Sequence, residues 1–136
     1  MAKSRSVATR RSGYTHDVEI DGRHTIVVDE PEAAGGDDNG PSPTRLVGAA
    51  LAACTAITIE MYAERKGWDV GDMRVEAEID YEGEAPSTFT VLLHLPGGLT
   101  EEQQEKLRVI AGKCPVHRAL ASETKVSITD RVVPAG

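Results

Sequence analysis

The most reactive side chains in this sequence are its two cysteines, Cys54 and Cys114. Cys114 directly precedes Pro115 at what reads as a helix start, where backbone N–H groups favour a thiolate and lower a thiol pKa from its reference of about 8.5. Cys54 sits in an apolar, alanine-rich stretch, Leu51-Ala52-Ala53-Cys54. Plainer readings stand beside these. Free cysteine is among the most buried residue types, so Cys54 is equally a structural thiol, and Cys114 only begins a helix. A bridge between them needs Cα atoms within roughly 7 Å, which spacing along the chain does not reveal. Two cysteines of this kind suggest a redox pair, two core residues or part of a metal site.

Cys114-x-x-His117 has ligand-like spacing for zinc, but no second local pair exists, and Cys54, His16, His24 and His94 are scattered singly. The expectation is therefore no metal and no cofactor. A cysteine–histidine nucleophile for acyl transfer needs an orienting group and an oxyanion hole, and neither is readable here. His94 lies in an apolar run and reads as half-buried and structural. Gly35-Gly36 lacks the lysine and glycine spacing of a phosphate loop.

The elements that must position these thiols follow from hydrophobic period. Tyr14 to Asp21 alternates, with His16, Val18 and Ile20 on one side. Asp21-Gly22 marks a turn, and His24 to Asp29 reads as the returning strand. A three-residue loop pairs Val18 with Ile26 and His16 with Val28, keeping the apolar faces together. Pro31 to Pro43 is a loop of glycines and prolines. It ends at Ser42, a candidate N-cap, and Pro43, a first helical residue. From there to about Lys66, Leu46, Val47, Ala50, Leu51, Cys54, Ile57, Thr58 and Met61 follow the spacing of one buried helix face, and Gly67 stops the helix.

Met73 to Tyr81 alternates again, a turn follows over Glu82 to Pro86, and Thr88 to Leu95 completes a hairpin. Thr100 caps a second helix that runs to about Gly112. Val116 to Leu120 adds one or two turns, and Lys125 to Val133 reads as a closing strand. Ser4 to Arg11 carries no strong period, though its Ser-Val-Ala-Thr opening suits a strand. The order predicts an α+β fold with antiparallel sheets in a single domain over 1–136.

A net charge of −7 argues against nucleic acid or an anionic membrane as main partner. No apolar segment follows the basic N-terminus, and no uninterrupted apolar run reaches the roughly 18 residues of a membrane helix. The cytoplasm is the expected address, where thiols are kept reduced.

Two motifs about sixty residues apart carry a family likeness. Gly35-Gly36-Asp37-Asp38-Asn39-Gly40-Pro41-Ser42-Pro43-Thr44-Arg45-Leu46, then Leu51-Ala52-Ala53-Cys54 and Met61-Tyr62-Ala63-Glu64-Arg65-Lys66-Gly67-Trp68, resembles the loop and central helix of the OsmC/Ohr superfamily. Cys114-Pro115-Val116-His117-Arg118 resembles the second-cysteine motif of its OsmC-like branch. The resemblance implies antiparallel sheets packed around a long central helix in an intertwined homodimer. It implies reduction of organic hydroperoxides, with Cys54 attacking the peroxide and Cys114 closing a disulfide on the resulting sulfenic acid. An external dithiol, lipoyl-type in this family, would restore the thiols.

The sequence departs from the family at one point. Where a Glu follows the proline that opens the central helix, Thr44 stands. Arg45 lies nine positions before Cys54, on the opposite helix face. The family arginine lies on an early strand, where rough registration puts His16, with Arg10, Arg11 and Arg23 as other candidates. The rival readings are an OsmC-fold protein that binds a small ligand, and a structural dimer whose cysteines only pack.

Overall fold

The computed structural model describes residues 2–134, so the one-domain expectation for 1–136 extends outside the described residues at both ends. These divide into two compact units interleaved along the chain. One gathers the chain up to Ala49 with Glu78–Thr90, and the other Ala50–Ala77 with the chain from Val91 onward. The architecture is α+β, with two small antiparallel sheets and one long helix.

In the first unit, β1 (Ser6–Ser12), β2 (Thr15–Ile20) and β3 (His24–Val28) form a sheet in that order. The β2–β3 register pairs His16 with Val28, Val18 with Ile26 and Ile20 with His24, as the alternation requires. Asp21 turns the chain at φ 55° and is tied by Ser4 Oγ and by the Arg5 N–H at 2.8 Å. Every residue of β1 is exposed.

A buried polar knot fastens the loop after β3. Asp29, only 1% exposed, accepts from Thr15 Oγ1 at 2.7 Å, the Glu30 N–H at 2.7 Å and the Asn39 N–H at 3.1 Å. Asn39 Nδ2 in turn donates to Thr15 Oγ1 at 3.1 Å. The loop passes so close that a Cβ at Gly36 would lie 2.0 Å from the Glu30 carbonyl oxygen. Only glycine fits there.

Helix α1 spans Pro43–Lys66. The Leu46 N–H closes onto the Ser42 carbonyl at 3.0 Å, and Gly67 ends the helix at φ 73° while the Trp68 N–H reaches Ala63 O at 2.9 Å. Its buried positions are Gly48, Leu51, Thr55, Ile59 and Ala63. This stripe is rotated from the expected one: Ala50 is exposed, and Ile57 and Met61 are 51% and 61% exposed. The helix is apolar on more than one side, so period alone does not say which face meets the core. By length and composition it could also cross a bilayer.

Strands β4 (Arg74–Glu82) and β5 (Ala85–His94) form a two-stranded ribbon. The turn is shorter than expected, confined to Gly83-Glu84, and Pro86 lies within β5. A two-stranded ribbon has only edges, where proline is tolerated.

Ile59 and Ala63 pack in the second unit's core with Val70, Leu99, Leu107 and Ala111. Tyr62 and Trp68 flank it edge to face, their centroids 5.7 Å apart. Helix α2 (Glu101–Ala111) starts with a full capping box between Thr100 and Gln103. A short helix α3, Pro115–Leu120, follows.

The closing strand expected over Lys125 to Val133 is absent: the chain from 125 to 134 is irregular. Val126, Ile128, Val132 and Val133 are all well exposed, Ile128 by 84%. The alternation is genuine, but a strand needs a pairing edge, and none takes up this segment within the described residues.

Gly36→Ala should cost about 1–3 kcal/mol or more by urea unfolding, since backbone must move to admit the methyl. For Asp29, burial pushes the carboxyl up, but the bonds from Thr15, Asn39, Glu30 and Asp37 outweigh it and hold the pKa below the ordinary range. A depressed folded pKa contributes stability that is complete above the unfolded value of about 3.9 and lost as pH falls through the folded one. The stability gap between wild type and Asp29→Asn should therefore stay constant above about pH 5 and shrink in stronger acid. A gap unchanged down to about pH 2.5 would contradict the knot.

Candidate functional site

The second unit brings both cysteines together as free thiols, Cys54 half-buried on α1 and Cys114 0% exposed. Cys114 is the N-cap of α3, its Sγ accepting from the His117 N–H at 3.4 Å, with Pro115 at the first helical position. The expected lowering of its pKa does not hold. Burial pushes the Cys114 thiol up, and neighbouring Cys54 pushes it further by a sulfur–sulfur interaction and by charge repulsion. Backbone N–H groups of His117 and Val116 pull the other way and are outweighed. A six-residue helix offers a fully buried sulfur too little to replace its lost water.

The arrangement has a chemical direction. The half-open Cys54 meets a reagent first, while Cys114 waits beneath as a protonated thiol.

His117 has a carboxylate neighbour that the sequence did not point to. Its Nδ1 is buried without a hydrogen bond and lies 3.8 Å from Glu123 Oε2. Ser122, at φ 61°, turns the chain so that Glu123 comes back toward α3, and such a backbone is not readable from Ala121-Ser122-Glu123. Thr55 Oγ1, also buried, likewise lacks a partner among the described residues.

All the other candidates except His94 belong to the first unit. His16, Thr44 and Arg45 line an open groove of about 1220 Å³ in the first unit, together with Tyr14, Val18 and Tyr81. There Thr44 Oγ1 and Tyr81 Oη share a hydrogen bond at 2.9 Å. Arg10 donates to the Gly13 carbonyl at 2.9 Å, Arg11 is paired with Asp17, and Arg23 is exposed. His24 is exposed. His94 is exposed as well, bonded through Nε2 to Glu76 Oε1 at 2.7 Å rather than half-buried. No group of three or more His, Cys, Asp or Glu stands together among the described residues.

The depth difference between the two sulfurs is measurable. With limiting iodoacetamide at neutral pH, Cys54 should be alkylated at least about tenfold faster than Cys114, read by peptide mass spectrometry. Equal rates would contradict the burial order.

No curated protein matches the chain. An OsmC-like protein from Mycoplasma pneumoniae superposes with a TM-score of 0.76 at 16% identity, covering 88% of each chain. An organic hydroperoxide resistance protein from Elizabethkingia anophelis gives 0.66 at 25% identity, again over 88% of each chain. The organic hydroperoxide resistance protein OhrB of Bacillus subtilis gives 0.60 at 21% identity, over 87% of this chain and 90% of its own. The family model described as OsmC-like protein matches residues 35–129, well over half the sequence and inclusive of both cysteines, and the chain belongs to that family.

Proposed function

We propose that this protein is a thiol-dependent peroxidase that reduces organic hydroperoxides through Cys54 and Cys114. The observation that carries the reading is the placement of two unbonded sulfurs, about sixty residues apart in sequence, beside each other at different depths. The resistance to organic hydroperoxides named for the Elizabethkingia and Bacillus proteins supports the same substrate class.

The chemistry balances in three steps. A Cys54 thiolate attacks one peroxide oxygen, the O–O bond breaks, and the departing alkoxide takes a proton to leave as alcohol, with sulfenic acid on Cys54. The Cys114 sulfur attacks the Cys54 sulfur, the S–O bond breaks, and its thiol proton leaves with the hydroxyl as water. An external dithiol, lipoyl-type or similar, then reduces the disulfide by exchange and is itself oxidised. A reducing compartment such as the cytoplasm suits that last step.

We further propose that the working form is an intertwined homodimer. Ala50, Ala53, Ile57 and Met61 make an exposed apolar stripe on α1, and the alternating tail from Val126 pairs with no strand among the described residues. Exposed apolar surface of this extent marks an interaction site, and a second copy offers the same strips in a closed two-fold arrangement. The groove lined by His16 and Tyr81 favours one rival, a ligand binder of the same fold.

One equivalent of cumene hydroperoxide should oxidise both thiols to an intramolecular disulfide, a loss of two hydrogens by intact mass. Cys54→Ser should abolish peroxide consumption, whereas Cys114→Ser should stop at the sulfenic acid. Peroxide left untouched, together with a melting temperature raised by apolar ligands, would favour the binder instead. Light scattering should return twice the chain mass, and Ile57→Glu with Met61→Glu should return one. A monomeric wild type would overturn the dimer.

A further inference from the structure

Helix α3 buries none of its own residues, so core packing does not set its place. Two ties do. At its start the fully buried Cys114 sulfur accepts from the His117 N–H at 3.4 Å. At its end the Ala121 N–H returns to His117 O at 2.9 Å and the Glu123 N–H to Arg118 O at 2.8 Å, with Ser122 held in the left-handed region at φ 61°. A serine adopts that backbone at a cost, and here it brings the Glu123 carboxylate back along α3. His117 takes part in both ties: its backbone meets the sulfur, and its buried Nδ1 faces Glu123 Oε2 at 3.8 Å. That separation is ion-pair range, just outside a hydrogen bond. Among the described residues this ring nitrogen has no hydrogen-bond partner.

We propose that His117, steered by Glu123, is the positioning residue that holds the Cys114 sulfur for attack on an electrophilic sulfur at Cys54. The inference rests on the thiol-pair reading above and adds the groups that make its second step fast. In that step the Cys114–Cys54 bond forms while the bond from Cys54 to its leaving group breaks, hydroxyl for a sulfenic acid or an aromatic thiolate for a mixed disulfide. The Cys114 proton leaves with the hydroxyl as water in the first case and passes to solvent in the second. His117 touches no reacting atom through its ring; it works by fixing the turn that carries the sulfur, and small misplacements of a reacting atom are expensive in rate.

The test needs no peroxide, so it stands apart from the fate of the peroxidase reading. Dithionitrobenzoate reacting at Cys54 releases one thionitrobenzoate, and attack by Cys114 on the resulting mixed disulfide releases a second. In His117→Gln and Glu123→Gln the first release should keep its rate and the second should slow roughly tenfold, with melting temperatures matched to wild type. His117→Asn places a polar nitrogen or oxygen where Nδ1 lies, which the longer glutamine does not, and should restore the second release to within about threefold of wild type. Second releases as fast as wild type in both Gln variants would overturn the proposal, as would an Asn variant as slow as the Gln one. Normal two-step release with no peroxide consumption would leave the positioning role intact and remove only the peroxidase.

Discussion

The sulfur of Cys114 lies wholly out of water, and a thiolate without water or a cation is costly. The backbone N–H groups of His117 and Val116, at the mouth of a short helix, favour the thiolate but do not offset the burial. The proton therefore stays on Cys114 at neutral pH, while Cys54 keeps an opening to solvent. Much of the second unit serves this inequality. The Ile59–Ala63 stripe of α1 and the Leu107–Ala111 face of α2 share one core, and the residues just beyond α2 deliver Cys114 beside Cys54. A looser core would equalise the two sulfurs and erase the order of events between them.

The same chain leaves large apolar surfaces uncovered. The outward face of α1 and the tail after α3 share no core with the described residues. Such surfaces are unusual for a protein that works alone. The polar knot around Asp29 shows the opposite economy, since nearly every donor near that carboxylate is used. Order is thus spent unevenly, on one loop and one core.

Much of this was legible from residue types. Pro43 and Gly67 bracket α1 because one suits a first helical turn and the other a left-handed cap. The β2–β3 register followed from the single loop length that keeps Val18 beside Ile26. Thr100, as a cap, announced α2, while its reciprocal bond with Gln103 emerged only in the fold. Other features had no local signal. The rotation of α1's buried stripe was hidden because alanine, isoleucine and methionine line several of its sides. The tail carries a strand's alternation, yet pairing is a property of an edge elsewhere. The upward shift of Cys114 depends on depth, which no motif reports. Glu123 came into view only through a serine backbone that its neighbours in sequence do not demand.

The Tyr62–Trp68 contact has a practical corollary. Trp68 is the sole indole in the chain, and its edge-to-face neighbour lies with it against the core of the unit that also holds both thiols. Intrinsic emission excited at the red edge of the absorption band thus originates entirely in the second unit. Changes in colour or polarisation during a reaction or a melt can be assigned to one unit without any added dye.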